Sequence, residues 1–397
     1  MEIPTTRPFF SEQEIEEISD GVRSILRSGR LVLDNYTQTF EESFREYCGV
    51  KHAIAVSSCT AALEIALRYF DVKGKEVIIP TNTFIASSNA VIYSGGIPIL
   101  ADIKADTLCI DPLDLAKRIT PETKGVIIVH IAGLPCPEIE EIREICREKC
   151  LFLIEDAAHA HGATINDQKT GSLGDAGCFS FYPTKVMTTS TGGMITTDDA
   201  DLAEYAISLR HHGVGQKLRN VAVGDNLTIE HLGNDWLMDE ISALLGIHKL
   251  RNLEANVRRR NEIAQMYAQG LMNFEEGVKL FTVPPHITHS YYKYPILLSR
   301  NIDKQEFVIR MKTDCGISLG SAYDPPCHLQ PVYQKMFGFR SGMFPTAEVT
   351  LTKVVCLPMY QQMTNQEVNY VLQSIRSILP GCQMNRLGEI TQPLARE

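Results

Sequence analysis

Short runs of uninterrupted apolar residues, each followed by a stretch with helical periodicity, constrain this chain more than any other feature. Residues 52–56 form such a run, and residues 60–70 after it carry Leu63, Ala66, Leu67 and Phe70 at helical spacing. The pattern repeats as 76–80 then 84–94, 98–101 then 112–119, and 125–130 then 139–148, before a further apolar run at 151–154. Residues 177–181 and 193–196 add two more predicted strands. Strands this continuous are buried on both faces, the habit of parallel sheets between helices. An α/β fold with a mostly parallel, helix-covered sheet is therefore predicted. No repeat of fixed period and no low-complexity stretch competes with it.

With 397 residues and 44% hydrophobic side chains, the chain can bury a sizeable core without disulfides or structural metals. The formal net charge of −10 and the lack of a long basic run disfavour binding to nucleic acid. No stretch of about 18 uninterrupted apolar residues exists, so no membrane partner is expected. Residues 1–10 lack the segments of a signal peptide. The eleven cysteines are odd in number and scattered, which points to reduced thiols and a soluble cytoplasmic protein. Cys146 and Cys150 share a helix face, but no second pair stands at metal-ligand spacing, and neither His159 with His161 nor His211 with His212 has a zinc-site arrangement. No metal is expected.

From about residue 239 the pattern changes. Residues 241–267 read as one long helix, with Arg251, Arg258, Arg259 and Arg260 supplying most of its positive charge. A strand at 291–298 and helices at 304–312 and 365–378 follow. The expected division is a large domain over 1–250, with the N-terminal segment, and a smaller C-terminal α+β domain over 251–397.

Four stretches place polar or aromatic groups just past a predicted strand, where ligands of open α/β sheets bind. In Ser57-Ser58-Cys59-Thr60, a strand ends in small polar residues as a helix begins. That is either a plain N-cap or an anion site built from free amides. In Glu155-Asp156-Ala157-Ala158-His159, two acids follow an apolar strand and alternate in direction. One is then a candidate to hold a protonated ring nitrogen and the other a structural partner, unless both are solvated loop acids. In Phe181-Tyr182-Pro183-Thr184-Lys185, a turn presents one lysine, a surface charge or an amine nucleophile in a recess. In Thr83-Phe84, the aromatic ring either stacks on a flat ligand or joins the core of the next helix. Together the four supply what pyridoxal phosphate needs: a phosphate site, an acid for the ring nitrogen, an aromatic platform and an amine that holds the cofactor aldehyde as a Schiff base.

These motifs resemble the DegT/DnrJ/StrS sugar aminotransferases, within fold type I of pyridoxal phosphate enzymes, over almost the whole chain. Residues 28–47 resemble the family's N-terminal loop and helix, and His130-Ile131-Ala132-Gly133 its His-x-x-Gly turn. Residues 324–333, with Pro326-Cys327-His328-Leu329-Gln330-Pro331, resemble its C-terminal substrate-side loop. The resemblance implies pyridoxal 5′-phosphate as cofactor, with Lys185 binding it and shuttling the proton, and Asp156 pairing with the ring nitrogen. It also implies that Ser58, Cys59, Thr60 and Ser180 surround the phosphate, that Phe84 stacks on the ring, and that His159 stands near the phenolic oxygen. Tyr323 and His328 are implied on the substrate side.

Three departures stand out. Cys59 occupies a usual glycine position, narrowing the approach of backbone to phosphate. Ser190-Thr191-Gly192-Gly193 replaces Gly-Glu-Gly-Gly. The family's Gly-x-Asn-x-Arg stretch, whose Asn reaches the neighbouring subunit's phosphate, falls on Gly233-Asn234-Asp235-Trp236-Leu237. An ionised Asp235 would repel a phosphate whereas Asn234 can donate to one, so Asn234 is the expected contact. Residues 214–230 are longer than usual for the family. The implied activity is that of a homodimer with shared active sites, aminating a keto group of a nucleotide-linked deoxy sugar with glutamate as donor. A keto-cyclitol aminotransferase, an aminoshikimate-pathway aromatising enzyme or a non-catalytic regulator on the same scaffold are the alternatives. Retention of Lys185 argues against a dehydratase, whose members carry His there.

Overall fold

The apolar runs pair into one seven-stranded sheet. A computed structural model describes residues 1–215, 228–272, 274 and 277–384. The strands are β1 (His52–Val56), β2 (Glu76–Pro80), β3 (Ile97–Ala101), β4 (Thr123–Val129) and β5 (Phe152–Asp156), then the short hairpin β6 (Thr164–Ile165) and β7 (Gln168–Lys169), then β8 (Ala176–Ser180) and β9 (Gly193–Thr197). The sheet order is β1-β9-β8-β5-β4-β2-β3. β3, β2, β4, β5 and β8 pair in parallel, while β9 runs antiparallel to both β8 and β1. The carboxyl ends of six strands and the amino end of β9 therefore share one edge.

Helices α1 (Glu12–Ser28) and α2 (Asn35–Cys48) precede the sheet, and α3 (Cys59–Tyr69), α4 (Ile85–Tyr93), α5 (Pro112–Arg118), α6 (Ile139–Lys149) and α7 (Ala200–Leu209) connect or follow its strands. The predicted single helix over 241–267 is two, α8 (Glu240–Arg251) and α9 (Leu253–Leu271). Asn252 leaves helical torsions at φ −102° and ψ 3°, and its side-chain amide donates to Glu14 Oε1 at 3.2 Å. A short polar side chain that finds a partner off the helix axis competes with the helix there. Arg260, one of the four arginines that give this stretch its positive charge, is buried and hydrogen-bonded to Asn256 and to the Tyr291 and Met359 carbonyls.

The remainder contains β10 (Val278–Leu280), β11 (Ile287–Thr288), which joins β6, then β12 (Tyr294–Leu298), helices α10 (Lys304–Thr313), α11 (Pro331–Phe337) and α12 (Pro345–Leu351), strand β13 (Val354–Leu357) and α13 (Asn365–Ile378). β10, β12 and β13 form a three-stranded antiparallel sheet. A second core gathers residues of α9, α10 and α13 around it and includes Ile3. Tyr333 of α11 and Ala347 and Leu351 of α12 pack instead with the core of the large sheet. The first residues stitch the cores together: Ile3 N–H donates to the Gly316 carbonyl (3.0 Å), Met359 N–H donates to the Thr5 carbonyl (3.0 Å), and the chain then enters α1, which packs on α8.

β5 runs two residues further than predicted, so both acids at its end are strand residues. Glu155 is fully buried and accepts from the amides of Gly171 (2.7 Å), Leu173 (2.7 Å) and Gly174 (2.9 Å). Its Oε2 also lies 2.8 Å from His130 Nε2. Since His130 Nδ1 accepts from the Cys136 amide (3.0 Å), Nε2 carries the proton and donates to Glu155. Gly171, at φ 87°, supplies the left-handed turn that aims these amides inward. Removing the carboxylate strands several buried donors at once. Glu155→Ala should lose about 3–5 kcal/mol of unfolding free energy, measured by chemical denaturation, and a loss below about 1 kcal/mol would contradict the assignment.

Candidate active site

The shared strand edge opens into a cavity of about 490 Å³. Ser58, Cys59 and Thr60 from the β1–α3 junction line it, with Phe84 after β2, Asp156 at the end of β5 and His159 past it, Ser180 at the end of β8 and Lys185 past it, and Tyr323 from the C-terminal part. Nine of the eleven residues singled out from sequence thus meet in one place.

Ser58 is the N-cap of α3: its hydroxyl accepts from Ala61 N (3.1 Å) and its carbonyl from Ala62 N (3.0 Å). The first-turn amides of Cys59 and Thr60 have no acceptor within the helix and lie at its positive end. Gly193 supports this turn from β9, since a Cβ there would sit 2.4 Å from the Ser58 carbonyl carbon and 2.6 Å from the Cys59 nitrogen. The expected narrowing at Cys59 is met by turning its side chain toward the sheet, with the sulfur 3.4 Å from the Cys178 carbonyl oxygen.

Asp156 sits at the cavity floor. Its Oδ2 accepts from Ser87 Oγ (2.7 Å), whose oxygen lies 2.7 Å from Thr83 Oγ1. Its Oδ1 accepts from the Ala158 amide (3.2 Å). Burial pushes this carboxyl above its ordinary value, against the opposing pull of Ser87, Ala158 and Lys185. Lys185 is half-buried in the turn closed by its own N–H to the Tyr182 carbonyl (2.9 Å). Its ammonium lies 4.8 Å from the centre of the Tyr292 ring, and the Tyr292 hydroxyl is 3.1 Å from Thr184 Oγ1. Burial pulls the Lys185 amine from 10.5 down to about 8, with Asp156 pulling the other way.

His159 is held as a neutral ring. Its Nδ1 accepts from the Ala132 amide (3.2 Å), so Nε2 carries the proton and donates to Tyr323 Oη (2.8 Å). Burial and the nearby Lys185 and Lys293 charges keep it well below its ordinary value. Ala132 reaches that position with φ 57°. Phe84 stands at the mouth, 55% exposed, with its ring centre 5.9 Å from that of Tyr323.

Two sequence-predicted residues lie elsewhere. His328 is fully buried and lines no part of the cavity: Nδ1 is 2.7 Å from Thr81 Oγ1 and Nε2 is 3.0 Å from Glu348 Oε1. It pins the 327–329 turn to the end of β2, and Tyr323, five positions earlier, is the residue of that segment that faces the cavity. Asn234 is exposed outside its own chain's cavity, with Oδ1 accepting from the Asp235 amide (2.9 Å). Most of the long 214–230 segment, residues 216–227, lies outside the described residues.

Sequence reasoning missed Ser87, Tyr292 and Lys293. Residues 289–293, read in part as a strand, instead tie to the His130–Gly133 turn through Ser290 N–H to the Gly133 carbonyl and Lys293 N–H to the Ala132 carbonyl, both 3.0 Å. The aromatic pair Tyr291-Tyr292 before an apolar strand was the available signal.

The donor set suits pyridoxal phosphate. Asp156 is a buried acid lining the cavity, the first-turn amides of α3 are left for an anion, and Lys185, an amine of lowered pKa, lines the same cavity. In protein stripped of cofactor, labelling of the Lys185 peptide by an amine-reactive probe should rise through a midpoint near pH 8, where the amine loses its proton. A midpoint near 10.5, the ordinary lysine value, would show that burial does not act on it.

The chain resembles known proteins along nearly its whole length. It is 34% identical over 386 residues to the spore coat polysaccharide biosynthesis protein SpsC of Bacillus subtilis, covering 96% of this chain and 97% of that one. It is 34% identical to the dTDP-3-amino-3,6-dideoxy-α-D-galactopyranose transaminase of Aneurinibacillus thermoaerophilus, covering 93% and 98%. Among solved structures, Streptomyces venezuelae DesV, captured with a ketimine intermediate, superposes with a TM-score of 0.87 at 30% identity, covering 95% of this chain and 98% of that one. Residues 12–376 match the family profile itself, and the chain belongs to the DegT/DnrJ/EryC1/StrS aminotransferase family.

Proposed function

We propose that this aminotransferase converts a keto group of a nucleotide-linked deoxy sugar to an amine, with glutamate as the amino donor. The observation that carries the reading is the meeting of Asp156, Lys185 and the α3 amides on one strand edge. The nucleotide-sugar transaminases among its relatives, including the GDP-perosamine synthase of Escherichia coli O157:H7 at 31% identity, support the substrate class.

The cofactor is pyridoxal 5′-phosphate, which supplies a carbonyl that condenses with amines and a ring that accepts electrons from the carbon bearing the nitrogen. The α3 amides and Ser180 bind the phosphate. Asp156 holds the proton on the ring nitrogen, and Ser87 with Ala158 orients that carboxylate. Phe84, at the mouth of the cavity, would stack on the ring. Lys185 Nζ, unprotonated at mildly alkaline pH, would hold the cofactor carbonyl and would serve as the base that moves the proton at the reacting carbon. His159 Nε2–H donates to Tyr323, which leaves the tyrosine hydroxyl proton free to point into the cavity.

The functional unit we propose is a homodimer with shared sites, acting in the cytoplasm. All eleven cysteines are free thiols, as suits a reducing compartment. Phe84 and Tyr182 line the cavity yet remain 55% and 58% exposed, and Leu232 beside Asn234 is 88% exposed, which is apolar surface suited to a second copy.

The direct experiment adds glutamate to the purified holoenzyme, follows the cofactor absorbance, and then supplies a panel of nucleotide-linked keto sugars. Glutamate should bleach the resting band and one keto sugar should restore it, while borohydride should fix the cofactor to the Lys185 peptide. Asp156→Asn should fold normally and lose about one to two powers of ten in rate or cofactor affinity. A spectrum indifferent to every amino acid, or labelling at another lysine, would defeat the reading. For the shared site, mixing inactive Lys185→Ala and Asn234→Glu protomers should restore part of the activity, because one hybrid site holds both native residues. Subunit exchange without recovery would refute it.

A further inference from the structure

Two cationic side chains, Lys185 and Lys293, line the cavity among the described residues, and only one is consumed by the chemistry. Lys185 serves as the amine nucleophile, so its charge is unavailable for recognition while it is covalently engaged. His159 is a neutral ring whose donor is already spent on Tyr323. Lys293 is half-buried, and its ammonium donates one hydrogen bond, to the Ser321 carbonyl at 2.7 Å. It stands 4.8 Å from the centre of the Tyr323 ring and 5.5 Å from that of Tyr292. No carboxylate of the described residues comes within ion-pair distance of it. Aromatic faces steady such a charge without neutralising it, and two of its three donors stay free.

Placement adds to the argument. The Lys293 amide is tied to the Ala132 carbonyl (3.0 Å), on the same turn that orients His159, so the side chain leaves from a braced backbone. Lys185 and Lys293 also face the same Tyr292 ring. The two ammonium groups thus share one cavity and one aromatic wall, which puts Lys293 within the space that a molecule reacting at Lys185 would occupy.

We propose that Lys293 determines substrate specificity by receiving the oxyanion of the incoming substrate, whether the carboxylate of an amino-acid donor or a phosphate on the keto acceptor. The inference rests on the aminotransferase reading above for what reacts, but it is tested by binding as well as turnover. A charge-assisted hydrogen bond lost inside a cavity weakens binding by about 10- to 100-fold.

The experiment compares wild-type holoenzyme with Lys293→Met and Lys293→Arg. Binding of two non-reacting probes, glutarate and inorganic pyrophosphate, is measured by calorimetry, and each half-reaction is followed by cofactor absorbance. Lys293→Met should weaken one probe by about 10- to 100-fold and raise the half-saturating concentration of the matching half-reaction, with the resting spectrum unchanged. Loss of glutarate binding assigns the carboxylate of the donor, loss of pyrophosphate binding assigns the phosphate of the acceptor, and Lys293→Arg should recover most of either. Wild-type protein that binds neither probe, or a methionine variant that binds both as wild type does, overturns the proposal. Absence of any spectral response to amino acids in wild type, with probe binding still dependent on Lys293, would instead overturn the aminotransferase reading alone.

Discussion

The Glu155 carboxylate, enclosed by three backbone amides and the His130 imidazole, is the contact on which the rest of the site depends. It anchors the loop at residues 171–174, and it holds the imidazole from which the turn at residues 130–133 begins. That turn supplies the Ala132 amide to His159 and the carbonyls that brace residues 290–293. An isolated buried carboxylate would be costly, but one with every lone pair engaged becomes a rigid fastening. Because side chains alternate along a strand, the same backbone that turns Glu155 into the fold turns Asp156 into the cavity. Structure and chemistry are thus separated by one peptide unit.

The cavity sorts charge by the same logic. Asp156 and Lys185 are both removed from water, and each is shifted toward its neutral form by burial while the other opposes that shift. A ligand that paired with the acid and reacted with the amine would relieve both costs at once.

The large sheet was legible because its strands are apolar on both faces, and the residues after them could be read off the strand ends. Ser58, Asp156 and Lys185 follow from that rule, while Ser180 is implied by the family resemblance. The sequence did not reveal the break at Asn252, because helical periodicity continues through it and only the distant Glu14 explains the kink. His328, implied on the substrate side by the family resemblance, lies elsewhere because Thr81 and Glu348 close on its two ring nitrogens. Tyr292 and Lys293 were hidden by their position next to β12, where an apolar strand seemed to begin earlier than it does. Each miss concerns a long-range partner, and local pattern carries no record of those.

The opening residues of the chain have a mechanical consequence. Ile3 is built into the second core and Thr5 is bonded to the loop after β13, yet a few residues later the chain enters α1 against the large sheet's helices. The cavity draws its walls from early and late parts of the chain, with Asp156 and Lys185 from the large sheet's strand ends and Lys293 and Tyr323 from the C-terminal part. Any hinge that widened the cavity to admit a bulky molecule would have to stretch or unfasten this N-terminal strap. A segment that touches none of the chemistry thus fastens the second core to the helices of the large sheet, through Ile3, Thr5 and α1.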